Sequence, residues 1–210
     1  MSDADTASPP LTAAALATRA AIVATAERLF RTMGYQKTTV ADIARELKMS
    51  PANIYRFFPS KSAINEAICG GILVEFDAAV WAIARGPEAP AERIRAVFRL
   101  LQEQTIALFF HERRMHDMVA AALEEHWPVI DQHVHTIDAA FGHIVADGQA
   151  QGVFAPLDAE MTGRLLHLTC VMFTHPTLVE QCQDTKDLPL MAHAMAEFCL
   201  RALRPDAPAA

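Results

Sequence analysis

The chain has 210 residues, 52 % of them apolar, with only 8 glycines, 2 tyrosines and 2 tryptophans. Heavy use of Ala, Leu and Met with almost no alternation of β-branched residues argues against a sheet protein and for an all-α one, long enough to bury a core without disulfides or metals. The net charge of −7 is uneven: residues 1–61 hold 8 Lys+Arg against 5 Asp+Glu, and residues 62–210 hold 10 against 20. A chain acidic overall binds polyanions poorly except where its local charge reverses.

Cys69, Cys170, Cys182 and Cys199 form no CxxC pair, and the N-terminus opens with Asp3 and Asp5 instead of a basic and apolar leader. A reducing, cytoplasmic setting with free thiols is expected. The longest apolar segments are broken by Glu, Arg or His, so no membrane span is expected.

Residues 1–15, with Ser8-Pro9-Pro10, read as a disordered arm. A first helix is expected from about Thr18 to Met33, with Ile22, Ala26, Leu29, Phe30 and Met33 on one face and Gly34 as its left-handed stop. Thr39 is a candidate N-cap for a second helix, in which Val40, Ile43, Ala44 and Leu47 share a face and Asp42 sits near the positive end. That helix stops at Lys48-Met49. Ser50-Pro51 starts a third helix at once, to about Phe57, with Ser as cap and Pro where its missing N–H costs nothing. Two short helices joined by a tight turn form a helix-turn-helix, here at 39–58. Ser60 caps a fourth helix running from Lys61 towards Ala84. Further helices are expected near 90–110, 112–125, 128–151, 158–182 and 188–203, with Asp158 and Asp187 as caps. The expected domains are the helix-turn-helix unit at 16–62 and a helical body at 63–204.

A recognition helix presents small or polar residues at its N-terminal end to base edges in the major groove. Here those are Ser50, Pro51, Ala52 and Asn53. Asn53 can pair with adenine in two hydrogen bonds, and Pro51 and Ala52 can touch a thymine methyl. Thr39, Tyr55 and Lys61 can reach phosphates, and Arg56 either backbone or base. Ile54, Phe57 and Phe58 pin the short helix to its domain.

The window TTVADIARELKMSPANIYRFFPSKSAI, residues 38–64, with the helix before it, resembles the N-terminal domain of the TetR family of transcriptional regulators over about residues 18–65. The resemblance implies backbone clamps at Thr39, Tyr55 and Lys61. It departs at Arg56-Phe57-Phe58, where many members carry an aromatic residue and a His-Phe pair. It also implies a ligand-responsive repressor that binds double-stranded DNA at a palindromic operator as a homodimer. A small-molecule effector would release it.

The acidic body would then hold effector and dimer surfaces. An apolar pocket bounded by the fifth to eighth helices is expected from Phe109, Met115, Met118, Trp127, Phe141, His167, Met172 and Phe173, Met being adaptable packing material. A four-helix dimer bundle is expected from Leu165, Leu168, Val171 and Leu178 on one helix and Leu190, Ala194 and Phe198 on the last. Two heads must stand roughly 34–36 Å, or a multiple, apart to read one palindrome, so a small rotation of the fourth helix would break simultaneous contact.

All nine histidines lie between His111 and His193. His133 and His135 point to opposite sides of a helix, whereas His167 and Cys170, or Asp131 and His135, share a face. Neither pair builds a four-ligand site, so no metal and no cofactor are expected. A metal-responsive regulator using His167 and Cys170 is one alternative, and a helical interaction protein that binds no DNA is another. Salt-dependent binding to duplex DNA separates them. GxSxG, P-loop, HExxH and dinucleotide motifs are all missing, and neighbours such as His111-Glu112 do not converge on a helix. No enzyme is expected.

Overall fold

The computed structural model describes residues 12–107, 118, 128–175, 178–179 and 187–205. The described residues hold eight helices and no strands: α1 (Ala13–Met33), α2 (Val40–Glu46), α3 (Pro51–Tyr55), α4 (Lys61–Ala84), α5 (Pro90–Ile106), α6 (Pro128–Ala150), α7 (Ala159–Thr174) and α8 (Leu188–Ala202). They fall into two compact units, residues 1–68 and 69–210. The division lies six residues beyond the expected 62/63 boundary, because Ile64 and Ile68 on the first turns of α4 are buried.

In unit 1, α1 starts five residues before the expected Thr18. Thr12 caps it by accepting a hydrogen bond from the Ala15 N–H. Ile22, Ala26, Leu29 and Phe30 bury one face of it. Gly34 closes α1 at φ 94°, ψ 146°. This is not the expected left-handed helical residue but a region open essentially to glycine alone.

Unit 2 has a continuous core in which Val80, Ile94, Phe98, Phe141, Ile144 and Leu166 are buried together. The crossing of α6 and α7 is set by two glycines. A Cβ on Gly163 would lie 2.5 Å from the Gly142 N and 2.6 Å from the Asp138 O, so the two backbones touch there. A buried cation stands beside this core: Arg93 Nη1 donates to the Ala84 carbonyl (2.5 Å) and to Asp147 Oδ2 (2.9 Å).

One expected boundary and one expected cap differ. The helix expected at 158–182 ends at Thr174. His175 is extended (ψ 120°), because the following Pro176 disfavours helical backbone before it. Asp158 caps α7 as expected, its side chain accepting from the Met161 N–H at 2.9 Å, whereas Asp187 takes helical angles and makes no side-chain cap bond. The helix expected at 112–125 lies outside the described residues, Met118 excepted.

One described helix bears on the expectation about membrane spans. By length and composition α4 matches a span, with a mean hydropathy of 1.7 over its most apolar stretch. Scattered Glu66, Glu75 and Asp77 hid this in the sequence. In the fold, Ile64, Asn65, Ile68, Cys69, Val80 and Ala84 of this helix are buried.

Candidate nucleic-acid interface and a cavity in the second unit

The helix-turn-helix is built from short-range hydrogen bonds. At the start of α2, the Asp42 N–H donates to Thr39 Oγ1 (3.2 Å), and the Thr39 N–H donates to Asp42 Oδ2 (3.0 Å). This reciprocal box satisfies two donors that a helix start would leave open. The Thr39 hydroxyl also donates to Asp42 Oδ2, at 2.6 Å. Those two bonds, with a smaller contribution from Arg45, hold the Asp42 carboxyl below its ordinary pKa. Thr39 is exposed, but its only hydroxyl proton is committed to Asp42. Its expected phosphate bond would have to replace that partner.

At the end of α2, the Lys48 N–H donates to the Arg45 carbonyl (3.1 Å) and the Met49 N–H to the Ala44 carbonyl (2.8 Å). Lys48 takes φ 55°, the left-handed residue this closure needs. The chain therefore reverses within three residues. Ser50 then caps α3, its Oγ accepting from the Asn53 N–H (3.2 Å), with Pro51 in the first turn. α3 ends at Tyr55, two residues short of the expected Phe57.

Ile54 and Phe58 are buried and hold α3 to unit 1, while Phe57 is only half-buried. The Arg19 guanidinium lies over the Phe58 ring at 4.6 Å. Ser50, Pro51, Ala52, Tyr55 and Arg56 are exposed, and Asn53 is half-buried. The exposed end of the short helix thus carries the small and polar residues that base readout requires. Lys37, Arg45 and Lys48 are exposed cations of the same unit.

Lys61 does more than the sequence implies. Its Nζ donates to the Tyr35 carbonyl (2.9 Å) and the Thr38 carbonyl (3.2 Å), and lies 4.2 Å from the Tyr35 ring centre. Partial burial lowers its pKa. The ammonium therefore braces the loop between α1 and α2, and of its three donors one is left for a phosphate. Thr38, buried, ties the same loop by donating from its hydroxyl to the Gly34 carbonyl at 2.9 Å. No sequence signal marks the Lys61 brace, because its partners are carbonyls more than 20 residues away.

Unit 2 holds a cavity of ~630 Å³ lined by residues of α4, α5, α6 and α7 together with His175. Helix α4, not expected there, contributes Ile72, Leu73, Glu75, Phe76 and Ala79. Of the expected pocket residues, only His167 is among its described lining. Phe141 is fully buried in the core, edge-on to Phe98 at 5.6 Å. Phe173 packs with Val179, Leu188 and Ala192 in a separate cluster. Met118 is fully buried, and Met172 is 49 % exposed. Phe109, Met115 and Trp127 lie outside the described residues.

Leu168 and Val171, expected in the dimer surface, also line the cavity, sharing one flank of α7 with His167, and Leu168 is exposed. Leu165, Leu190, Ala194 and Phe198 are exposed and Leu178 is half-buried.

Among the described residues, no group of three or more His, Cys, Asp or Glu side chains is gathered as a metal site. His167 Nδ1 is held by Asp138, at 2.7 Å, and the Cys170 thiol is buried, with its pKa pushed up mainly by that burial. With its thiol disfavoured from ionising by burial, Cys170 is not poised as a thiolate ligand beside His167.

Residues 22–68 match the model for bacterial regulatory proteins of the tetR family, and residues 90–189 match the tetracyclin repressor-like C-terminal domain. The fold resembles that of a TetR-family transcriptional regulator from Pectobacterium atrosepticum, with a TM-score of 0.75 and 22 % identity over 93 % of this chain and 98 % of that one. It also resembles Thermus thermophilus FadR, a TetR-family repressor in complex with lauroyl-CoA (TM-score 0.66, 22 % identity, 91 % and 98 % covered). No curated protein matches the chain. The all-helical fold, the capped helix-turn-helix and the two matched domains lead to one conclusion: the chain belongs to the TetR family of DNA-binding transcriptional regulators, a family of regulators and not of enzymes.

Proposed function

We propose that the protein is a ligand-responsive repressor that binds a palindromic operator as a homodimer in the cytoplasm and is released by a small molecule. The observation that carries this reading is the exposed N-terminal end of α3, Ser50 to Asn53, presented by a helix-turn-helix whose every turn is capped. Ser50 to Asn53 face bases, Tyr55 and Lys61 hold phosphates, and Arg56 serves either. Thr39 contributes mainly by fixing α2.

A five-residue helix reads few base pairs, so two heads on a two-fold site are required for useful specificity. Support for a dimer comes from α7 and α8, where Leu165, Leu190 and Phe198 are 55 %, 69 % and 68 % exposed. Large exposed apolar side chains on neighbouring helices are candidates for an association site. Support for a ligand comes from the unit 2 cavity, whose volume suits a molecule of drug size.

The test combines sedimentation with DNA binding at increasing salt. A dimer at micromolar concentration and a steep loss of affinity with salt, as lysines and arginines release counterions, are expected. A monomer would refute the homodimer. Salt-insensitive binding would refute the DNA reading. Leu190→Glu with Phe198→Glu should give monomers that retain helix content but lose operator affinity.

A further inference from the structure

The unit 2 cavity carries an unusual polar pattern for an apolar site. His133 Nδ1 lies 2.5 Å from Asp77 Oδ1, and His167 Nδ1 lies 2.7 Å from Asp138 Oδ1. All four side chains are less than 20 % exposed. A carboxylate only accepts, so in each pair Nδ1–H donates. A neutral imidazole held this way presents Nε2 as an acceptor. Burial keeps His133 below its ordinary pKa, outweighing the pull of Asp77, so it is neutral at neutral pH. His175 adds a third nitrogen to the wall: its Nδ1 is buried and has no hydrogen-bond partner among the described residues.

The charges agree with the acceptors. Glu75 and Asp138 line the cavity, Asp77 stands behind His133, and the one cation of the described lining is Arg164, already 3.9 Å from Asp138. An anion entering this site would meet an excess of carboxylates. The remaining wall is largely aliphatic and aromatic, from Leu73, Phe76, Leu101, Ile130 and Val171.

We propose that the cavity takes a neutral, mainly apolar molecule bearing a hydroxyl or other uncharged hydrogen-bond donor, read by Nε2 of His133 and His167, and that it rejects carboxylates and phosphates. This rests on the reading of unit 2 as the effector-binding part. The donor specifies the ligand because a molecule without one leaves two oriented, largely buried acceptors unpaired.

The test uses the full-length protein at pH 7.5 with three probes that share one ring system: 1-naphthol, naphthalene and 1-naphthoate. Calorimetric titration should give at least tenfold tighter binding of 1-naphthol than of either other probe. In the double variant H167L/D138L, which removes the pair without stranding a buried carboxylate, the preference over naphthalene should fall below threefold. If that variant does not fold, long-range ¹H–¹⁵N spectra of the parent protein replace it: the Nε2 resonances of His133 and His167 should move with 1-naphthol and not with naphthalene. Tightest binding of 1-naphthoate, equal binding of all three, or no binding would overturn the proposal. A separate arm adds 1-naphthol to the protein–DNA complex. Selective binding without release of DNA would uphold the ligand class and refute the effector reading.

Discussion

The two units are held together by different physics. Beside the 21-residue α1, unit 1 has two short helices, α2 and α3, fixed by side chains reaching backbone groups: Thr39 with Asp42, Ser50 with Asn53, Thr38 with Gly34, and Lys61 with Tyr35 and Thr38. Unit 2 is longer helices packed over a large apolar core, with polar pairs largely buried between helices, as in His133–Asp77 and His167–Asp138. A reading head must keep a five-residue helix at a fixed angle, which its own length cannot stabilise, so caps hold it instead. A body that encloses a cavity of ~630 Å³ must take its stability from the packing around it. Damage to unit 2 should therefore be large and spread out, and damage to unit 1 modest and local.

The packing side is broken most severely by Gly163→Ala. It puts a methyl group against the Gly142 backbone and should cost about 3 kcal/mol, read as a fall in denaturation midpoint. It should also separate α6 from α7 and so weaken any ligand of the cavity. A change below ~0.5 kcal/mol, the size of an ordinary surface substitution, would mean that the helices tolerate separation. The contrast between units would then lose its basis.

Next is Lys61→Met, which keeps the stem and removes the ammonium. Losing two hydrogen bonds from a charged donor should cost ~1–2 kcal/mol in a half-buried setting. DNA affinity should fall for all sequences alike, with a shallower salt dependence. A loss of affinity with no loss of stability would mean the ammonium serves phosphate alone. Thr39→Ala removes the box at α2 and should cost ~1 kcal/mol. Because its hydroxyl already has Asp42 as partner, stability should change more than the salt dependence of DNA binding.

A weaker effect is expected from pH in unit 2. His133 is held neutral by burial, so its folded-state pKa lies below the unfolded value of about 6.5. The unfolded chain then takes up the proton first. Stability should be flat above that value and decline as pH falls from it towards the folded pKa. An NMR titration of His133 should show a midpoint under about 6.5. A midpoint above it would mean that Asp77 outweighs burial, and would return a positive charge to the cavity.

The same contrast explains which features are legible in the sequence. Caps and turns act over three or four residues, so Thr39, Ser50, Pro51 and Ser60 mark the helix-turn-helix by their spacing alone. The cavity is not legible in this way. Its walls come from four helices, and bulky residues such as Phe141 and Phe173 fill the spaces beside it instead of lining it. Its polar markers escape a sequence reading because His133 and Asp77 are 56 residues apart. The Lys61 brace escapes it for the same reason. Local rules identify the capped helix-turn-helix, and tertiary packing decides where the cavity lies.

Whether the exposed end of α3 reads DNA is decided by selection of bound sequences from random duplexes. The parent protein should enrich one palindrome whose half-site centres stand roughly 34–36 Å, or a multiple, apart. Asn53→Ala should relax one position in each half-site, at about 1–3 kcal/mol, and leave the others unchanged. Enrichment of no palindrome, or an identical site for parent and Asn53→Ala, would rule out base readout by this helix.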